Sequence, residues 1–519
     1  MKTKVITTSL AATAADVLLV GCFEGEVAAA ALTAANAGQS YSLLNTATNG
    51  ASARQAEAEG FKGAVGETSV HFSDSKLGAP RVVLFGLGTR GKTTLDTFRK
   101  AVAAALRKAK SLAAEHVAFA AIDPVAAAGC ESYALGECLA SYAAMLDYVI
   151  NHQKTALNGH KPEKRFKKLH LIADAASVKE LGRGLKAGFT VGRAVILARD
   201  LANEPAGTLT PAKLAAVAKS VAKSCGDTVV IKVYNEKELL KMGAHALLAV
   251  AKGSAEKPYL IDLLYTPVGG NESDPVGLTL VGKSVTFDSG GLDIKAADGM
   301  RNMKRDMSGG GVTLAAFQAI ADLGLNIKVR CVMAATENMI NGRAYKPGDV
   351  LQTMKGLTVE VDNTDAEGRL TLADAIEYAK RQGDTTIVDL ATLTGAVKMM
   401  TGDVGACAFG NNDAFTSVVA ACAASQNERL LPVPMWEEFK PSNNSEMADL
   451  KNSGGAPGST TAAYFIRAFA GEEIRWVHID IAGVAYRDRE LGPDPRGATG
   501  YGVRTMIALA TRLAAESGK

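Results

Sequence analysis

The sequence is poor in the patterns that most often announce a disulfide framework or a zinc site. Its seven cysteines, at 22, 130, 138, 225, 331, 407 and 422, form no C-x-x-C pair. Its seven histidines are dispersed, and no H-E-x-x-H occurs. These absences argue against a disulfide scaffold and a Cys-ligated zinc, fit a reducing compartment, and leave oxygen atoms as the expected ligands of any metal. No stretch of about 18 uninterrupted apolar residues exists, so no membrane span is expected. Neither sign of charge dominates: 57 Lys plus Arg stand against 54 Asp plus Glu, a net charge of +3. A global nucleic-acid signature is therefore missing. There is no internal repeat.

What is present suits a large globular chain. Hydrophobic residues make up 47% and charged residues 21% of 519, enough apolar surface for a substantial core. The length suggests two to four domains, most simply two. Lys2 and Lys4 precede an Ala/Leu-rich run ending at Cys22, which looks like a leader peptide. Asp16 interrupts its apolar centre, so the run reads instead as a first strand over Asp16–Cys22 and the chain as cytoplasmic. Short β-rich runs alternate with Ala-rich helical runs, the pattern of an α/β fold. Strands are expected at Arg81–Phe85, Leu169–Ala173, Val229–Tyr234, Tyr259–Tyr265, Gly277–Val281, Lys328–Ala334 and Thr386–Leu390. Helices are expected at Leu95–Glu115, Ser141–Ile150, Gly311–Leu323 and Leu370–Arg381. The basic stretch Asn151–Lys168, with Lys154, Lys161, Lys164, Arg165, Lys167 and Lys168, reads as a solvated loop. A long helix over Val178–Ala202 connects a smaller N-terminal domain, 1–175, to a larger C-terminal domain, 176–519, built on a mixed sheet flanked by helices.

Two constellations compete for the chemistry. Gly86–Thr93 (G-L-G-T-R-G-K-T) matches the phosphate-cradling pattern G-x-x-x-x-G-K-T after a strand and before a helix. Backbone N–H groups at such a turn suit phosphate, but no hydrophobic run ending in a Mg-anchoring Asp lies nearby. A structural strand–helix turn is the preferred reading, and a nucleotide-binding protein is the rival class. The second constellation is denser: Gly282–Gly291 (G-K-S-V-T-F-D-S-G-G), Lys295, Lys304-Arg305-Asp306, Asn363–Leu370 (N-T-D-A-E-G-R-L) and Asp389–Gly395.

Asp288, Asp306, Asp365 and Glu367 gathered without counter-charge would repel and raise one another's pKa. Two divalent cations would balance them, and hard carboxylate oxygens suit Mg²⁺, Mn²⁺ or Zn²⁺. Asp365 and Glu367, two apart, would point the same way from an extended segment. Lys283, Lys295 and Arg369 add a positive rim able to hold an anionic intermediate. A two-metal hydrolase follows, and a phosphoesterase is one form it could take.

The complete octapeptide at 363–370, the lysine twelve residues after Lys283, the Asp at 306 and the Ala198–Pro205 segment together resemble the leucyl aminopeptidase family. Asp389–Gly395, Ala448–Asn452 and His478–Gly483 look like its later landmarks. The resemblance is strong over roughly 190–519 and covers the first 170 residues in outline. It implies two divalent metals per subunit, Zn or Mn, with Mg or Co as alternatives. Lys283, Asp288, Asp306 and Glu367 would hold the tighter one. Asp288, Asp365 and Glu367 would hold the exchangeable one. Lys283 would have to bind as the neutral amine. Lys295 would polarise the scissile carbonyl, and Arg369 would hold a bicarbonate that takes a proton from a metal-bridging water. The substrate would be a peptide with a free N-terminus. Its first side chain, Leu or another apolar residue, would lie against Met303, Thr392, Leu393, Gly395, Ala482 and Ala485. The family further implies a homohexamer; neither membrane nor nucleic acid is expected as a partner.

Overall fold

The computed structural model describes all residues except 28–38, 130, 151–152, 156, 158, 160–162, 272 and 518–519. Its contacts divide into two units, Met1–Arg193 with Glu490–Pro495, and Ala194–Arg489 with Arg496–Lys519. The division falls inside the helix Val178–Asn203, later than the expected boundary at 175.

The first unit is built on a six-stranded sheet. In spatial order its strands are Lys2–Ile6, Lys168–Ile172, His116–Ala120, Val17–Cys22, Arg81–Gly86 and Thr68–Phe72. All neighbours are parallel except the last pair. Val17–Cys22 is buried at every position, as a central strand covered on both faces must be. Its alternation serves two cores. Val17 and Leu19 pack with Phe98, Leu106 and Leu139, while Leu18 and Val20 pack with Tyr41, Leu44 and Ala53. Asp16 ends the strand as a receptor for backbone: its carboxylate accepts from the N–H groups of Glu115 and His116 at 2.8 and 2.9 Å. The helix expected at Ser141–Ile150 runs instead over Ser132–Leu146. In the basic stretch, Lys154, Lys164, Arg165 and Lys167 are exposed; Lys161 lies outside the described residues.

The second unit holds a mixed eight-stranded sheet. Its order is Leu430–Pro432, Ala406–Gly410, Arg475–Asp480, Thr386–Ala391, Leu278–Asp288, Val329–Asn338, Tyr259–Tyr265 and Val229–Tyr234. The four strands from Arg475–Asp480 to Val329–Asn338 run parallel. The Leu278–Asp288 strand is therefore central, and it is longer than the expected Gly277–Val281. Its second half, Gly282–Asp288, lies beyond the expected strand end and carries the motif's glycine, lysine and aspartate. Pairing to the Val329–Asn338 strand keeps it extended beyond Gly282, where the Thr386–Ala391 strand lets go, with a register shift between Thr336 and Glu337 that carries it on to Asp288.

The helix Ser308–Asp322 begins three residues earlier than expected, through Gly309–Gly311. Glycine is a poor helix former, but contact with the sheet demands it here. A Cβ on Gly309 would lie 2.0 Å from the Leu390 carbonyl oxygen, and one on Gly310 would lie 2.1 Å from Ser284 Oγ. This close approach seats the helix on the strand that carries Lys283 and Asp288. No helix among the described residues is long and apolar enough to cross a membrane.

Candidate metal centre and substrate cavity

Charged groups meet where the parallel strands end. Lys283, 3% exposed, projects from the central strand. Its Nζ lies 2.7 Å from Asp306 Oδ2 and 2.8 Å from Glu367 Oε1, and donates to the Thr392 carbonyl at 3.1 Å. Lys295 Nζ lies 2.8 Å from Asp288 Oδ2 and is also paired with Asp365. The four acids are thus not without counter-charge: two lysines are interleaved among them. Asp288, Asp365 and Glu367 each bring an oxygen within 4.8 Å of the others, and Asp306 joins them through Lys283.

Asp365 and Glu367 converge by a different route from the extended segment expected. Asp365 stands in a turn and Glu367 begins the helix Glu367–Arg381. The turn is held by Thr364 within it, by Asn452 of the Ala448–Asn452 segment, and by two groups that the sequence did not single out, Asn338 and Tyr345. Thr364 donates its hydroxyl to the Gly290 carbonyl at 2.7 Å, and its own carbonyl accepts from Asn338 Nδ2 at 3.0 Å and the Tyr345 hydroxyl at 2.7 Å. Asn338 Nδ2 also reaches Asp288 Oδ1 at 2.9 Å, so one buried amide ties Asp288 to the turn that carries Asp365. Asn452 accepts from the N–H groups of Asp362 and Asn363 at 2.8 and 3.1 Å, and its carbonyl takes Arg369 Nη1 at 2.7 Å. Thr364 and Asn452 belong to segments the sequence had already marked, whereas Asn338 and Tyr345 are lone residues with no spacing signature, which is why the sequence hid them.

The electrostatics follow from burial. Burial, then the neighbouring Asp288, pushes Glu367 up to about 8; the same two causes raise Asp365, against the pull of Lys295. Burial pushes Arg369 down to about 10, leaving it protonated at neutral pH. For Lys283 and Lys295 burial acts downward, but the surrounding acids outweigh it and hold both ammonium groups above the ordinary lysine range. Lys283 as a neutral ligand therefore requires a cation to displace this ion pairing.

The donor set fits a divalent cation. Asp306 Oδ2 and Glu367 Oε1 are buried and accept no hydrogen bond, facing Lys283 only as ion pairs. Buried carboxylate oxygens of this kind call for a cationic partner. A Cβ on Gly368 would lie 2.5 Å from Lys283 Cε, so the glycine of the octapeptide makes room for the lysine stem.

A cavity of about 600 Å³ opens over this centre, within the range of small-molecule sites. It is lined by Lys283, Asp288, Lys295, Asp306, Asp365 and Arg369, and by five of the six residues of the candidate side-chain pocket, Met303, Thr392, Leu393, Gly395 and Ala482. Glu367 lies buried beneath, 1% exposed. Ala485 is buried and does not line the cavity. Lys398 does line it, although the sequence had suggested an apolar pocket. The loop after Ala391 is fixed by buried Asp480, whose carboxylate accepts from Leu393 N at 3.2 Å, Thr394 N at 3.1 Å and Ala482 N at 3.1 Å.

Comparison with known proteins bears on the same regions. Residues 196–507 match the catalytic domain of the cytosol aminopeptidase family, and residues 19–156 match that family's N-terminal domain. A probable cytosol aminopeptidase of Geobacter sp. (strain M21) is 36% identical over 509 residues, 96% of this chain and 97% of its own length. One from Roseiflexus castenholzii is 40% identical over 458 residues, 86% of this chain and 90% of its own. Among solved structures, a mutant of tomato leucine aminopeptidase superposes with a TM-score of 0.87 at 30% identity, covering 99% of this chain and 96% of that one. A bottromycin maturation enzyme in complex with Mn gives a TM-score of 0.82 at 31% identity, covering 96% and 100%.

Proposed function

The chain belongs to the cytosol aminopeptidase family, and from that premise we propose that it is a two-metal leucyl aminopeptidase. It removes Leu and other apolar residues from the free N-terminus of peptides. One observation carries this reading: acids, lysines and arginine from four separated segments line or underlie a single cavity with the candidate side-chain pocket.

Lys283, Asp288, Asp306 and Glu367 would hold one divalent ion, and Asp288, Asp365 and Glu367 a second, exchangeable one. Zn and Mn are the first candidates, with Mg and Co behind them. Such ions would supply Lewis acidity and a water acidic enough to attack an amide near neutral pH. The protein's own part is positioning. Lys295 brings an ammonium into the cavity to donate to the carbonyl oxygen as negative charge develops on it. Arg369 stays protonated and cannot act as a base. Its Nε has no hydrogen-bond partner, which suits holding an anion, bicarbonate in this reading. Thr392, Leu393 and Gly395, fixed through Asp480, orient the first side chain. We further propose a cytoplasmic homohexamer, to be checked by the mass of the assembly in solution.

The test is the free amine. Leucyl-amide should be hydrolysed and its N-acetyl counterpart should be nearly inert. Equal turnover of both would overturn the assignment.

A further inference from the structure

We propose that the same cavity also takes peptides whose first residue is acidic, Glu or Asp, and that Lys398 is the group that meets the side-chain carboxylate. The inference rests on the aminopeptidase reading and adds a substrate class to it.

Lys398 belongs to the wall that holds the first side chain. It lies in the short helix Val397–Thr401, and its backbone N–H donates to the Gly395 carbonyl at 3.3 Å, on the same turn as the pocket residues 392–395. Its Cγ lies 3.7 Å from where a Cβ on Gly483 would stand, so its stem runs beside the Ala482 side of the cavity. Both Lys398 and Ala482 line the cavity.

The charges of the cavity single it out. Lys283 and Lys295 are engaged by carboxylates. Arg369 donates to the Asn452 carbonyl, and Arg305 lies over the Tyr486 ring at 5.2 Å. The lining acids Asp288, Asp306 and Asp365 each face one of the two paired lysines. Among the described residues, the Lys398 ammonium has neither an ion-pair nor a hydrogen-bond partner. An unmatched ammonium in a concave site is complementary to a carboxylate, and a charge-assisted hydrogen bond there is about twice as strong as a neutral one. The methylene stem can also lie along an apolar side chain while its head stays in water. One residue thus accommodates both Leu and Glu.

The experiment uses the full-length, Mn-loaded enzyme. It compares kcat/KM on glutamyl and leucyl chromogenic amides, and on the dipeptides glutamyl-leucine and leucyl-glutamate, for wild type, Lys398→Met, Lys398→Arg and Lys398→Glu. The wild type should turn over the glutamyl substrates. The glutamyl-to-leucyl ratio should fall about 10- to 100-fold in Lys398→Met, return in Lys398→Arg, and fall further in Lys398→Glu. A ratio in Lys398→Met within about twofold of wild type, or a loss that strikes leucyl-glutamate and spares glutamyl-leucine, overturns the assignment of Lys398. Leucyl turnover with no glutamyl turnover in the wild type overturns this inference alone. Failure to hydrolyse any unblocked substrate overturns the aminopeptidase reading along with it.

Discussion

Gly86–Thr93 in the first unit and Gly282–Gly291 in the second share glycines, a lysine and a place at the carboxyl side of a parallel strand. Their side chains do opposite things. In the first, a Cβ on Gly86 would lie 1.9 Å from the Ala64 carbonyl oxygen, so the glycine serves close packing of backbone on backbone. The Thr89 hydroxyl donates to Glu24 at 2.7 Å, and Arg90 pairs with Glu26 over the Phe23 ring. Lys92 points to solvent. In the second, Lys283 and Asp288 are buried and meet acids from two other segments. Glycines after a strand allow close approach; whether anything chemical follows depends on which charges converge there.

The comparison breaks most visibly on metal removal. Exhaustive chelation should abolish activity, and Mn²⁺, Zn²⁺ or Co²⁺ should restore it, because only the second segment gathers carboxylates that need cations. Full activity with metal confirmed absent would remove the basis for treating the two segments differently.

Next in size is the separation of roles within the second segment's own neighbourhood. Lys295→Ala should lower kcat by about 10²–10³ while keeping both metals, as loss of one oxyanion donor does. Asp365→Ala should shed the exchangeable metal instead. Metal stoichiometry measured beside kcat decides between them, and metal loss in the lysine variant with retention in the aspartate variant would reverse the assignment.

The glycines give a smaller and directly matched pair. Gly368→Ala would force a Cβ to within 2.5 Å of Lys283 Cε. A displaced lysine should cost activity by about 100-fold, as misplacement of roughly 1 Å can. Gly86→Ala meets rigid backbone and should cost about 1–3 kcal/mol of stability, with kcat little changed in the fraction that remains folded. Melting curves and kcat for both variants test the contrast. An activity loss in Gly86→Ala without a stability loss would contradict it.

How far the sequence could see this difference follows from the kind of signal each feature leaves. The octapeptide and its spaced partners point to the acids, both lysines and Arg369, because several residue types must recur at fixed intervals. The strand Val229–Tyr234 and the strand Tyr259–Tyr265 are legible to the residue from their apolar and aromatic runs. The second half of Leu278–Asp288 is not, because its polar residues serve the site while its pairing comes from neighbours distant in sequence. The start of Ser308–Asp322 is hidden by three glycines, two of which, Gly309 and Gly310, are there for contact with Leu390 and Ser284. The lysines between the acids, the amide of Asn338 and the unmatched charge of Lys398 depend on three-dimensional proximity alone.

The smallest expected effect is the most direct check on the first segment. Lys92 is exposed, and Glu24 and Glu26 already engage Thr89 and Arg90 of the turn where a phosphate would sit. Those two side chains are thus committed to the protein's own carboxylates. The helix that follows is already capped from within: Thr94 accepts from Thr97 N at 3.3 Å while the Thr97 hydroxyl accepts from Thr94 N at 2.7 Å. Two of the N–H groups a phosphate would seek are therefore engaged. Lys92→Ala should change stability by no more than about 0.5 kcal/mol, as exposed substitutions do, and leave peptide hydrolysis unaltered. ATP or GTP with Mg²⁺ should shift the melting temperature of neither the wild type nor the variant. A nucleotide-dependent shift in the wild type that disappears in Lys92→Ala would show that the first segment does bind phosphate, and that its resemblance to the second runs deeper than packing.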